Sequence, residues 1–402
     1  MTASPAPEGR TRVLLALCGC VVLCMTTWFS AAAVLPQLRA LWAVSEAVAG
    51  WLTIAVQLGF VLGALGAALT GLPDRLPPRT LMAASALGAA LANLALLAAP
   101  GPGSAIALRV ATGVLMAGLY PPALKLVATW FRSGRGVALG SVIGALTLGS
   151  ALPHAVNAGG GLPWQGVILA ASAATLAGGV GVLLFLREGP YPFPRARFEP
   201  ARLRQALGNR AVLLATGGYL GHMWELYAMW SWMLAFLAAR PGATGGDASL
   251  LTFLIVAAGA PACVLAGWLA DRLGRTTLTI GLMAISGGCA GLIGFAWAGP
   301  AWLLLAIGLL WGATVIADSA QFSAVVTEVG DPALVGTALT AQLGLGFGLT
   351  ALAIWALPLA AGALGGWQWA FLVLVPGPLL GILSMARLRA LPEARRIAGG
   401  RR

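Results

Sequence analysis

The sequence predicts an all-α membrane protein of twelve transmembrane helices, arranged as two six-helix halves. Three observations predict it. Hydrophobic residues make up 59% of the 402 and charged residues only 9%, where a soluble domain carries about 25% charged residues. Apolar stretches of about 20 residues, each long enough to cross a hydrocarbon core, recur from end to end. Several short motifs of the first half also return in the second. The 55 glycines and 24 prolines fit the same class, because both residues are commoner in membrane helices than in soluble ones.

The expected spans are 12–35, 47–70, 79–99, 105–130, 136–158, 164–186, 211–238, 249–270, 276–298, 301–325, 334–357 and 367–387. The first follows Arg10 and Arg12 and ends in SAAAVLP, loosely like a secretory signal. Its apolar run exceeds the 7–15 residues of a signal core and more spans follow, so it reads as an uncleaved first helix. Short turn-rich pieces such as PGPGS at 100–104 separate most spans. The longest interruption, REGPYPFPRARFEPARLRQALGNR at 187–210, is rich in Pro and Arg. It divides the chain into an N-terminal bundle (1–186), a cytoplasmic linker (187–210) and a C-terminal bundle with a basic tail (211–402).

Positive charge sets the orientation. With a cytoplasmic N-terminus, every Lys and Arg falls on that side except Arg39 and Arg240 outside and Arg109 within a span. Both termini are therefore expected in the cytoplasm of a multi-pass protein of the cell (plasma or inner) membrane. The loop 326–333 departs, with Glu328 and Asp331 and no cation, but acidic residues weigh little in the bias. The net charge of +12 does not point to nucleic acid, because the arginines flank spans and form no single patch. Cys18, Cys20, Cys24, Cys263 and Cys289 all fall within spans, which supports neither a disulfide framework nor a zinc site. No cofactor, metal or catalytic residue is expected. Two separated histidines and scattered cysteines offer no nucleophile–base pair, so the chain is not read as an enzyme. No phosphate-binding loop of an ATP-driven engine occurs either.

The halves repeat one another. RGVALGSVIGALTLG (135–149) and VGTALTAQLGLGFGL (335–349) share Gly136/Gly336, Ala138/Ala338, Leu139/Leu339 and Gly144/Gly344. Trp164-Gln165 recurs as Trp367-Gln368. Between spans 8 and 9 lies GWLADRLGR, Gly267 to Arg275, and between spans 2 and 3 GLPDRLPPR, with Asp74, Arg75 and Arg79. Arg109 and Gly113 make an R-x-x-x-G in span 4. These stretches resemble signatures of the major facilitator superfamily of secondary transporters. The loop at 267–275 matches in full; its earlier counterpart has Gly71 one place off and Pro77 for the second glycine. The family's G-P pair of helix 5 is not reproduced, which weakens an antiport reading. The resemblance implies that Asp74, Arg75, Arg79, Gly267, Asp271, Arg272, Gly274 and Arg275 form cytoplasmic gate contacts that break as the halves rock. The plainer reading is that they fix loop geometry, and for Gly274 that is the expectation.

The stretch GYLGHMWELYAMWSW (218–232) puts His222 and Glu225 inside an apolar span. An ionised acid at a helix centre costs about 2.5–3.5 kcal/mol on insertion scales, so such residues usually face a partner or water. Three charges lie inside spans: Arg109 in helix 4, Glu225 in helix 7 and Asp318 in helix 10. In the family these helices, with helix 1, line the central cavity. Glu225, Asp318, His222 and Arg109 are thus expected to serve substrate or proton coupling, with Trp28, Phe29, Tyr227 and Gln321 on the cavity wall. The competing readings are a static pair ordering helices 7 and 10, and an Arg109 that snorkels outward. Trp230 and Trp232 read as interface anchors, Gln57 and Gln342 as helix–helix glue. His154 has no assigned role.

The expected function is secondary active transport of a small organic solute by alternating access, coupled to protons as a symport. An organic-anion carrier or uniporter using Arg109, and a drug/proton efflux antiporter, are the alternatives. The expected partners are the solute, protons and the lipid bilayer, without nucleic acid, and the expected working unit is a monomer.

Overall fold

A computed structural model describes residues 7–132, 134–159, 162–191 and 198–401, without the side chain of Asp74. Arg195, Arg197 and Arg402 of the orientation argument, and the Asp74 carboxylate of the gate motif, lie outside the described residues. No strand occurs among the described residues.

The long helices are α1 (Arg10–Thr27), α2 (Glu46–Thr70), α3 (Pro78–Ala98), α4 (Pro102–Ala128), α5 (Arg135–Ala158), α6 (Trp164–Phe185), α7 (Arg210–Ala238), α8 (Gly245–Leu273), α9 (Arg275–Ala296), α10 (Ala301–Val329), α11 (Val335–Ala363) and α12 (Ala370–Ala390). Eleven of them are long and apolar enough to cross a membrane. The remaining one, α7, is equally long at 29 residues. His222, Glu225 and a crowd of Tyr and Trp lower its hydropathy, yet it is among the most deeply buried helices.

Local sequence sets several boundaries. Asn209 opens α7 by accepting from the backbone N–H of Ala211 (2.9 Å) and Val212 (3.3 Å), the usual way a helix start is satisfied. Gly274, between α8 and α9, has φ 90° and ψ 148°, a conformation nearly closed to side chains. The four helices expected around a central cavity are not continuous, apart from α7. The first gives way after Thr27 to two short helices, Ser30–Ala33 and Leu35–Trp42, so it runs past the expected end at 35. α4 breaks ahead of Tyr120-Pro121-Pro122 and α10 breaks at Asp318. Pro removes a donor and collides with the preceding turn, which accounts for α4. The predicted linker contains a turn at Pro200–Arg202 and a short helix, Leu203–Gly208.

Packing follows the duplication. In the first half α2 packs on α4, α3 on α6 and α1 on α5. In the second, α8 packs on α10, α9 on α12 and α7 on α11. Two seams join the halves, α2 with α11 and α5 with α8, and each is the other's image under the six-helix repeat. On the α5–α8 seam, a Cβ at Gly136, Gly140 or Gly144 would strike the backbone oxygens of Gly267, Cys263 and Ala260. Small residues let membrane helices approach this closely. Toward the other end of that seam, Asn157 donates to the carbonyl of Ala33 (3.0 Å) and to Ser249 Oγ (2.8 Å).

Candidate functional site at the meeting of the two halves

Glu225 is 1% exposed and halfway along α7. Its Oε2 accepts from Ser286 Oγ of α9 (2.9 Å) and its Oε1 from Trp311 Nε1 of α10 (2.7 Å). Both partners are neutral and belong to the second half, so the carboxylate is turned into its own bundle. One turn earlier, His222 Nδ1 stands 2.8 Å from Asp318 Oδ1, with both side chains buried. Among the described residues neither Asp318 Oδ1 nor His222 Nε2 has a hydrogen-bond partner. Asp318 occupies the break in α10. Tyr219 and Phe322 flank the imidazole at 6.1 and 5.4 Å.

Arg109 is fully buried, which rules out the snorkelling alternative. Its Nε donates to Leu52 O (3.1 Å), its Nη1 to Thr27 O (2.9 Å) and Asn93 Oδ1 (3.0 Å), and its Nη2 to Trp28 O. Asn93 in turn donates to Ser172 Oγ (2.9 Å) and accepts from Ser30 Oγ (2.8 Å). The guanidinium therefore satisfies the carbonyls freed where the first helix unwinds. No carboxylate is among these partners. Lys125, near the C-terminal end of α4, donates to Pro73 O (2.7 Å).

Between the halves lies a continuous aromatic cluster. Tyr227 is nearly parallel to Trp28 (6.0 Å, 17°) and to Phe29 (6.1 Å, 7°). Trp230 meets Phe29 at 5.7 Å and Tyr227 at 5.6 Å, both edge-on. Phe60 and Phe347 complete it across the α2–α11 seam at 4.3 Å. The structure thus brings Trp28, Phe29 and Tyr227 together, and adds Phe60 and Phe347. Trp230 and Trp232 are not interface anchors: each is 1% exposed. Trp230 joins the cluster, while Trp232 Nε1 donates to Ile354 O (2.8 Å) and its ring fills the space beside Gly50. Position near a helix end misleads here because α7 is enclosed along nearly its whole length. Gln57 makes no glue, since neither amide atom has a partner among the described residues. Gln342 accepts from Ser323 Oγ at 3.5 Å.

The gate-loop residues divide. Arg275 grips Glu328 with Nε at 3.0 and 3.1 Å and Nη2 at 2.8 Å, and its Nη1 donates to Gln321 Oε1 (2.8 Å). Gln321, expected on the cavity wall, is instead tied beneath this loop. Glu328 also accepts from the N–H of Ala398 in the tail (3.0 Å). The acidic departure noted near 326–333 is therefore the carboxylate that Arg275 needs, on α10. Gly267 packs on Gly136, and the exposed Asp271 lies at the start of α5. Arg272 stacks on Trp268 at 3.6 Å. In the earlier loop Arg75 is exposed and Arg79 donates to Leu186 O at 3.4 Å.

Sequence reading missed Ser286, Trp311, Asn93 and Ser30. An isolated neutral residue in an apolar helix carries no signal of its distant partner. Among the described residues no cluster of His, Cys, Asp and Glu could hold a metal ion.

The chain is similar to known transporters. It is 26% identical over 293 residues to the niacin transporter NiaP of Acinetobacter baylyi, covering 62% of this chain and 64% of that protein's length. Its fold is similar to a bacterial homologue of the human lysosomal transporter Spinster, inward-facing and unoccupied (TM-score 0.68, 15% identity, 98% of each chain). It is also similar to the xylose transporter XylE of E. coli in a partially occluded inward-open state (TM-score 0.68, 17% identity, 94% of this chain and 99% of that one). At such identities these structures establish the fold. The family model of the Major Facilitator Superfamily matches residues 17–354, and the chain belongs to that family of membrane transporters.

Proposed function

We propose that this protein is a proton-coupled secondary carrier that moves a small organic solute by alternating access, with Glu225 as the proton site. One observation carries the reading: Glu225 is buried at membrane depth with two neutral donors and no cation. An intramembrane acid without a counter-charge is a functional position by default, and one that alternates between neutral and charged forms is what coupling to protons requires. His222 and Asp318, a turn away, offer a second station for the same proton. Motion of one half against the other is supported by the two symmetry-related seams and by the Arg275–Glu328–Gln321 cluster beneath the α8–α9 loop. The basic residues support cytoplasmic termini in a cell (plasma or inner) membrane, and the duplicated halves support a monomeric carrier with bundles near 1–186 and 211–402.

The test compares wild type with Glu225→Gln in energised vesicles, with and without a pH gradient. The expected result is loss of gradient-driven accumulation with solute exchange retained. Full accumulation by the variant would remove the proton role of Glu225.

The niacin transporter relative favours a compact ring compound as the solute. The organic-anion reading through Arg109 has less support, because that guanidinium is committed to carbonyls of the first half.

A further inference from the structure

Resting on the carrier function proposed above, and placing the solute at the aromatic cluster between the halves, we propose that the carried solute is a flat aromatic compound with hydrogen-bond acceptors on its rim and no negative charge.

Shape comes first. The interface centre offers ring faces: Tyr227 lies within 17° of parallel to Trp28 and within 7° of parallel to Phe29. These three rings already share one orientation, so a planar solute replaces ring–ring contact with ring–ring contact as the halves part. A puckered, saturated solute of the same size meets only edges and loses that stacking.

Polarity comes second. Two fully buried indole N–H groups, on Trp28 and Trp230, have no hydrogen-bond partner among the described residues. Both indole rings pack on Tyr227, with centroids at 6.0 and 5.6 Å. Gln57, a turn before Phe60 on α2, is buried with both amide atoms unpaired. Buried polar groups without partners are rare and call for a partner from elsewhere. An indole nitrogen only donates, so the solute must bring acceptors.

Charge comes third. The buried charged side chains at this depth are Arg109, Glu225 and Asp318. Arg109 is enclosed by Leu52, Thr27, Trp28 and Asn93. What remains toward the second half is two carboxyl groups and the imidazole of His222, which already faces Asp318. A carboxylate or phosphate entering here, niacin's carboxylate included, would find no free guanidinium or ammonium group among the described residues, an arrangement that disfavours anions.

The experiment is calorimetric titration of the purified protein in lipid nanodiscs, with no pH gradient. The probes are benzamide, pyrazinamide and 2-naphthamide, their carboxylates benzoate, pyrazinoate and 2-naphthoate, and cyclohexanecarboxamide. The amides are expected to bind about tenfold more tightly than their carboxylates, and benzamide about tenfold more tightly than its saturated analogue. Trp230→Phe keeps the ring and removes the donor, and should weaken amide binding by about fivefold while leaving the protein's elution volume unchanged. Carboxylates binding as well as the amides, equal binding of the saturated amide, or no binding by any amide each overturn the proposal. The wild-type ranking decides it even if the variant fails to fold. Because no gradient is present, loss of the Glu225 coupling role would leave this ranking intact, and the reverse holds as well.

Discussion

The two halves share one fold but bury charge in opposite ways. In the first half Arg109 spends its donors on three backbone carbonyls and Asn93, at the place where the first helix unwinds. In the second, Glu225 has two neutral donors, and His222 faces Asp318 with its other nitrogen unpaired. A charge surrounded by fixed backbone acceptors is scaffold, because any change of its state orphans several groups at once. A charge held by hydroxyl and indole groups can change state while its neighbours adapt. The duplication thus yields one bundle whose buried charge holds a bent helix and another whose buried charge is left for the proton role proposed above.

That contrast can be broken at graded strength. Arg109→Ala should be the most damaging change, taking one donor from each of four buried acceptors and emptying the space of a large buried side chain, and lowering stability by about 3–5 kcal/mol. Thermal unfolding in detergent checks this, and Arg109→Lys should recover little, since an ammonium cannot span the fork. Glu225→Gln should leave the unfolding temperature almost unchanged, because an amide can accept from Trp311 and donate to Ser286 Oγ. Its accumulation ratio under a pH gradient should fall by about tenfold, the size of a typical coupling between two ligands. If both variants fail in the same way, the division of labour between halves is wrong.

A smaller effect sharpens the comparison at the α8–α9 loop. Arg275 and Glu328 are 15% and 26% exposed, so a double-mutant cycle with Arg275→Ala and Glu328→Gln should return about 1–2 kcal/mol of coupling. The smallest is Arg272→Ala, which removes only an exposed stack on Trp268 and should cost about 0.5 kcal/mol. A large transport defect from Arg272→Ala, with stability intact, would instead place that arginine in the gate.

Much of this was legible in the residues. GWLADRLGR and the 135–149/335–349 repeat led to the family, and cost in hydrocarbon singled out Arg109, Glu225 and Asp318 as unusual. The partners that each of them meets were not legible. Ser286 and Trp311 are ordinary residues in apolar helices, 61 and 86 positions from Glu225. Trp230 and Trp232 near the end of an apolar helix look like interface anchors until packing shows that α7 is enclosed. Even the eleven-to-twelve discrepancy has this origin, because the one long helix that falls short of a membrane span in hydropathy is among the most deeply buried.

By itself the sequence determined that the chain spans a membrane many times, that its halves are copies, and which side chains are too polar for their surroundings. Those are properties of composition and order, and transfer from water to hydrocarbon acts on each segment separately. Only the tertiary structure decided which carbonyls meet Arg109, which donors meet Glu225, and that Arg275 takes Glu328. Hydrogen bonds between helices depend on angles and distances set jointly by every packed neighbour, and no single segment contains that information.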